Sequence, residues 1–467
     1  MEKKKVDKSK KDILLKKESG WLTLTPKEMK DVEALSKEYI GFLNECKTER
    51  ECVNYWLKVA QKQGYKDLAT TKTLKAGDKV YYINRDKNIF LAVIGKEDIK
   101  NGINLIGSHV DSPRIDLKPN PLYEDAGFAL LKTHYYGGIK KYQWTTIPLE
   151  IRGVVVNSKG EKIEVSIGKD STDPIFTITD LLPHLARKQM EKKLNDGIEG
   201  EDLNLLIGNY PDDKSKDEKI KNNMMKILNE KYGIVEADFL SSELEIVPNF
   251  EAREMGLDRS MIAGYGQDDR SCAFTSAKAI MEIENPTKTS LCILMDKEEI
   301  GSLGNTGMRS NVLDFVISEL GVKLNQYEPN FLNKVYVNTK MLSADVDAAY
   351  DPTFASVSDP KNSGYLGNGI VLLKYTGGGG KYSSSEASAE FTASIRGIFD
   401  KNKVKYQSGE LGKVDEGGGG TIAYIVANKG ADVIDCGIPI LCMHSPYEVS
   451  SKFDVFMAYR AYKVFYK

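Results

Sequence analysis

Apolar and polar positions along this chain keep two different periods, and the switches between them divide it. Thr25-Pro26-Lys27-Glu28 sets a capping threonine before a proline, with a glutamate three residues after the cap, and Met29, Val32, Leu35, Ile40 and Leu43 follow at helical spacing. That pattern predicts a helix starting at residue 26. Thr48 and Glu51 repeat the capping spacing before Trp56, Leu57 and Val59, and Gly64 supplies a stop. Short β-rich runs come next at residues 80–83, 89–94 and 103–106, parted by polar or glycine-containing turns.

From about residue 119 to residue 249 the texture changes. Residues 146–156 and 162–167 read as strands and 181–194 as a helix, and the charges around 212–221 alternate in sign like solvated loops. After Gly264 the first pattern resumes, with a helix over 270–283 and strands at 290–295, 335–341, 370–375 and 433–442. The expected architecture is one α/β domain, residues 1–118 and 250–467, interrupted by a smaller β-rich domain over 119–249. The only low-complexity pieces are the glycine runs at 377–380 and 417–420.

Composition narrows the partners. Among 467 residues, 65 Lys and Arg nearly balance 67 Asp and Glu, so no basic excess marks the chain for nucleic acid. No window of about 18 apolar residues predicts a membrane span, and the lysine-rich start has no signal-type apolar run after it. It reads as a solvated tail. Six cysteines form no CxxC pair, which points to structural thiols in a reducing, cytoplasmic setting. Histidine is scarce: His109, His134, His184 and His444 are all there are.

The rare polar residues fall where apolar strands end. The 103–106 run leads into Gly107-Ser-His109-Val-Asp111, the 290–295 run into Asp296-Lys-Glu298-Glu299, the 335–341 run into Ser343-Ala-Asp345, and the run through Met443 into His444. Ligands of open α/β sheets bind beyond the carboxyl ends of the strands, so these side chains can converge. Asp268 and Asp269, ahead of the 270–283 helix, add two carboxylates. Two imidazoles and three carboxylates can fill two zinc sites if one carboxylate bridges, leaving a glutamate free as a base. Each motif alone has a bland explanation: an Asp-oriented structural histidine, a solvated helix start, an N-cap. Their joint placement is what points to metal chemistry. Rival motifs fail in detail. A phosphate loop would need glycine at Tyr375 and Ser or Thr at Tyr382, no G-x-S-x-G element surrounds Ser302, and the histidine positions exclude HExxH.

With these residues in place, the chain resembles the aspartyl aminopeptidase or aminopeptidase I family of dinuclear zinc metallopeptidases. The likeness rests on residues 107–113, 267–272, 296–302, 343–345, 416–422 and 443–446, in the family's order. It implies a mixed-sheet, zinc-exopeptidase-like catalytic domain with an inserted dimerisation or lid domain, peptide substrates, and assembly into a tetrahedral homododecamer. It implies two zinc ions per subunit, with Co or Mn as substitutes: Asp268 bridging, His109 and Asp345 on one ion, Glu299 and His444 on the other. Glu298 would be the general base, and Asp111 would orient its neighbour. His184 matches a segment that reaches a neighbouring subunit's active site, although some members carry another histidine where this chain has Lys188. Lys374, or Lys381 as a second candidate, would meet an acidic N-terminal side chain, and His134 receives no role. The rival from another class is a catalytically silent shell or cargo-binding protein of the same fold; a broken ligand set would be its signature, and here the set is complete.

Overall fold

Both capping boxes form. The Thr25 hydroxyl accepts the Glu28 amide while the Glu28 carboxylate accepts the Thr25 amide, starting the helix Pro26–Glu45. Thr48 and Glu51 do the same for Glu49–Lys62. Each box satisfies amide donors that a helix start would otherwise leave unpaired. The structure is a computed structural model that describes Leu14 and residues 18–467, so most of the lysine-rich start lies outside the described residues.

A nine-stranded sheet forms the frame. At its centre the strands Ser290–Met295, Asn104–His109, Lys340–Ser343 and Asp432–Gly437 lie side by side and parallel. All six residues of Ser290–Met295 are buried, as expected of a strand covered on both faces. On one face pack the first two helices with Gln267–Met281 and Lys452–Tyr466, where Phe274 meets the rings of Tyr39, Phe42 and Trp56. On the other lie Val312–Lys323, Phe331–Val337 and Ala423–Ala427. The parallel register aligns Met295 with His109 and sets Ser343 beside Gly107, so these strand ends share one edge.

A second, seven-stranded antiparallel sheet draws its strands from between Arg114 and Pro248 and has its own core around Ile115, Trp144, Leu149 and Ile246. Its strand Arg114–Asp125 runs across residues 118 and 119 and so begins before the change of texture in the sequence. A third sheet of five short strands carries Asp347–Ala348, Pro439–Leu441 and Glu448–Ser451.

Three expected elements differ. Residues 335–337 are the end of the helix Phe331–Val337, not of a strand, and the strand is Lys340–Ser343. The β-branched residues mislead there, while Phe331, Val335 and Tyr336 bury with a helical period. The 433–442 run divides at Ile438 into strands of two different sheets. Over 181–194 only Arg187–Met190 is helical, because Pro183 interrupts the run and Leu181, Leu182, Leu185 and Leu194 find no core to cover them. Among the described residues no helix is long and apolar enough to cross a membrane.

Candidate metal centre

His109 ends the Asn104–His109 strand and is 2% exposed. Its Nδ1 lies 3.0 Å from the Asp111 carbonyl, and its backbone amide donates to Asp269. Those contacts turn Nε2 toward Asp268 Oδ1 at 3.2 Å and Asp345 Oδ1 at 3.7 Å. His444 follows the strand Pro439–Leu441, and its Nδ1 lies 3.0 Å from the Gly138 carbonyl, in the loop after the strand Phe128–Tyr136 of the inserted sheet. Its Nε2 lies 3.1 Å from Asp268 Oδ2 and 3.5 Å from Glu299 Oε2. Asp268 thus presents one oxygen to each imidazole. It can do so because Asp268 and Asp269 leave helical dihedrals inside the first turn of Gln267–Met281.

Asp111 is fully buried and collects donors. Its carboxylate accepts the amides of Glu298 at 3.1 Å and Glu299 at 3.2 Å, and the Tyr136 hydroxyl at 2.8 Å. One carboxylate therefore ties the turn after Ser290–Met295 to the strand end bearing His109. Glu448 does the same on the far side, accepting the amides of His444 and Asp268.

The electrostatics suit a cation. Burial pushes Glu298 up to about 8, reinforced by the carboxylates of Asp345, Asp111 and Asp268. Burial also raises Glu299, with Asp268 adding to it, and raises Asp345. Asp268 goes the other way: burial opposes its charge, but the imidazoles of His109 and His444 hold it below the ordinary carboxylate range. Against burial, Asp268 and Glu299 push His444 up to about 10, and Asp111, Asp268 and Asp345 raise His109. Glu299 Oε1 is buried without a hydrogen-bond partner, an arrangement that costs about 1–3 kcal/mol unless something else satisfies it.

A metal is what the donor set fits. Ligands on a tetrahedral ion at about 2.0–2.2 Å stand roughly 3.3–3.6 Å apart, and the imidazole-to-carboxylate separations here run from 3.1 to 3.7 Å. Donor atoms of His109, Asp268 and Glu299 lie within 4.8 Å of one another, as do those of His109, Glu298 and Asp345. The carboxylate of Glu298 thus stands at the margin of the His109 and Asp345 position.

A cavity of about 420 Å³ opens on this cluster, walled by Leu373, Thr376, Leu411, Thr421, Tyr424 and Met443 among others. Glycines 418–420 form part of its wall. Gly418 has φ +138°, and a Cβ there would lie 2.3 Å from Gly378 Cα, so the two glycine runs pack backbone to backbone. Two further carboxylates line the cavity: Asp435, which accepts the Thr421 hydroxyl at 2.6 Å, and Asp347.

The remaining sequence candidates stand elsewhere. Lys374 and Lys381 do not line the cavity; both pair with Glu386, at 3.4 and 3.2 Å, and Lys381 also covers the Tyr375 ring. His184 and Lys188 are exposed on the segment that was expected to be helical. His134 is exposed on the strand Phe128–Tyr136 of the inserted sheet, with Nδ1 2.8 Å from the Tyr135 carbonyl. Glu448, Tyr136 and Asp347 escaped notice in the sequence. Glu448 carries one weak signal, a glutamate four residues after His444, while Tyr136 and Asp347 carry none.

A family model described as aminopeptidase I zinc metalloprotease (M18) matches residues 42–466. The probable M18 family aminopeptidase 1 of Clostridium acetobutylicum is 50% identical over 459 residues, covering 97% of this chain and 99% of its own length. The crystal structure of an M18 family aminopeptidase from Thermotoga maritima superposes with a TM-score of 0.94 at 44% identity, covering 97% of this chain and 100% of that one. The dodecamer structure of S. cerevisiae mApe1 shares the fold at a TM-score of 0.76 and 23% identity, covering 93% of this chain and 97% of its own.

Proposed function

The chain belongs to the M18 aminopeptidase I family of zinc metalloproteases, and on that premise we propose that it removes N-terminal residues from peptides with a dinuclear metal centre. His109 and Asp345 would hold one ion, Glu299 and His444 the other, and Asp268 would bridge. The observation that carries this reading is the position of Asp268, one oxygen 3.2 Å from His109 Nε2 and the other 3.1 Å from His444 Nε2. Bound metals polarise a scissile carbonyl and acidify water. The chain's own residues supply the rest. Glu298 would take a proton on its carboxylate and return it to the leaving amine. Asp111 fixes the backbone that carries Glu298 and Glu299.

Zinc is the family's metal, and Co or Mn would enter the same carboxylate-rich set. The free state of all six cysteines supports a reducing, cytoplasmic location. The separate core of the seven-stranded sheet supports its reading as an inserted module, with a boundary near residue 113 rather than 118. Its exposed leucines around His184 support assembly through that face, up to the dodecamer expected from the family, with His184 or Lys188 reaching a neighbouring site. A silent shell of the same fold finds no support in an intact donor set. The test is hydrolysis of aminoacyl anilides by the metal-loaded protein: those with a free amino group should be cleaved and their N-acetyl counterparts should not. No cleavage of either would end this reading.

A further inference from the structure

The cavity beside the metal centre is lined by six carboxylates and two histidines, and by no lysine or arginine among the described residues. Asp268, Glu298, Glu299 and Asp345 belong to the metal set and its base. Asp347 and Asp435 are left over, each 2% exposed. Asp435 has the Thr421 hydroxyl. Asp347 has no side-chain partner and no counter-charge: only the Ala348 backbone amide acts on its carboxylate, neither oxygen completes a hydrogen bond of good geometry, and both are shut off from solvent. Two glycines outside the cavity wall pack close against its Oδ2, where a side chain would not fit. A Cβ at Gly409 would stand 2.5 Å from Asp347 Oδ2 and one at Gly364 3.0 Å away.

A buried, unpaired carboxylate is costly, so its retention beside a substrate cavity calls for a partner that arrives with the substrate. We propose that this end of the cavity is a pocket for the basic side chain of an N-terminal lysine or arginine, with Asp347 as the partner of its cationic head. The methylene stem of such a residue would lie along Val346, Leu373, Leu411 and Met443, which line the same space. This reverses the acidic preference expected from Lys374 and Lys381, neither of which lines the cavity. The inference rests on the aminopeptidase reading, which supplies the N-terminal residue that occupies the pocket.

Calorimetric titration of L-lysine, L-norleucine and L-glutamate into the metal-loaded wild-type protein tests the pocket without a variant. Lysine should bind roughly tenfold or more tighter than norleucine, because a site built around a buried polar group rejects the analogue that leaves it unpaired. Glutamate should bind most weakly. In Asp347→Asn the lysine-to-norleucine ratio should collapse toward one, and the ratio of kcat/KM for lysyl and norleucyl anilides should fall with it. Norleucine or glutamate binding as tightly as lysine to the wild type overturns the pocket, as does a ratio retained in Asp347→Asn. Cleavage that favours neutral or acidic residues overturns this inference and leaves the aminopeptidase standing. Selective lysine binding with no cleavage of any anilide supports the pocket and overturns the hydrolase.

Discussion

Glu448 grips the backbone of His444 at 2.7 Å through one carboxylate oxygen, and its other oxygen accepts the Asp268 amide at 3.1 Å. A residue of the third sheet thereby sets the spacing between a proposed ligand and the proposed bridge. Glutamine at this position keeps one acceptor but turns an amide N–H toward the other backbone N–H. Glu448→Gln should weaken metal binding by about 10–100-fold, the usual effect of losing a group that orients ligands. Chelator competition measures it, and unchanged affinity would remove Glu448 from the centre's support.

Glu298→Gln should keep its metals and lose its rate. The five proposed ligands are untouched, while the proton acceptor is gone, so turnover should fall by about 10²–10⁴ with metal content near that of the wild type. Normal turnover in this variant would assign the base elsewhere.

Asp268→Ala should empty both positions, because the two imidazoles share this one carboxylate. Elemental analysis after gel filtration checks it. Retention of two tightly held metals would show that a different carboxylate bridges.

Metal affinity should rise with pH. Without metal, burial holds Glu298 near 8 and raises Glu299 and Asp345, while His444 sits near 10. At neutral pH the metal-free centre therefore binds protons that a cation must displace, so it holds more protons than the loaded one. Raising the pH from about 7 to 9, through the value for Glu298, should tighten binding by up to about tenfold per unit for each proton displaced. Titration of zinc in buffers of different ionisation enthalpy should record net proton release, and no release would contradict the shifts.

Much of the centre was legible because its residues announce themselves locally. An imidazole or acid at or just past the end of an apolar strand is a short-range pattern, and His109, Glu298, Glu299 and Asp345 all display it. The helices from Pro26 and Glu49 were equally legible, since a capping box involves only four consecutive residues. The helix Phe331–Val337 was misread because β-branched residues suit either state, and only the surfaces packed against them decide. The 181–194 segment was misread for the opposite reason: its apolar residues imply burial, and in one chain nothing buries them.

By itself the sequence determined the inventory and order of the chemistry: which residues can ligate a metal, which cap a helix, and which runs are buried strands. These follow from neighbours a few residues apart, where periodicity and side-chain-to-backbone hydrogen bonds act. Only the tertiary structure decided what meets. His109 and Met295 become partners through a strand pairing that joins distant segments, and His444 arrives from a different sheet altogether. Lys374 turns to Glu386, and Asp347 is left buried without a side-chain donor. Such outcomes depend on long-range register and on the space left when the sheets pack, and no local pattern in the chain carries that information.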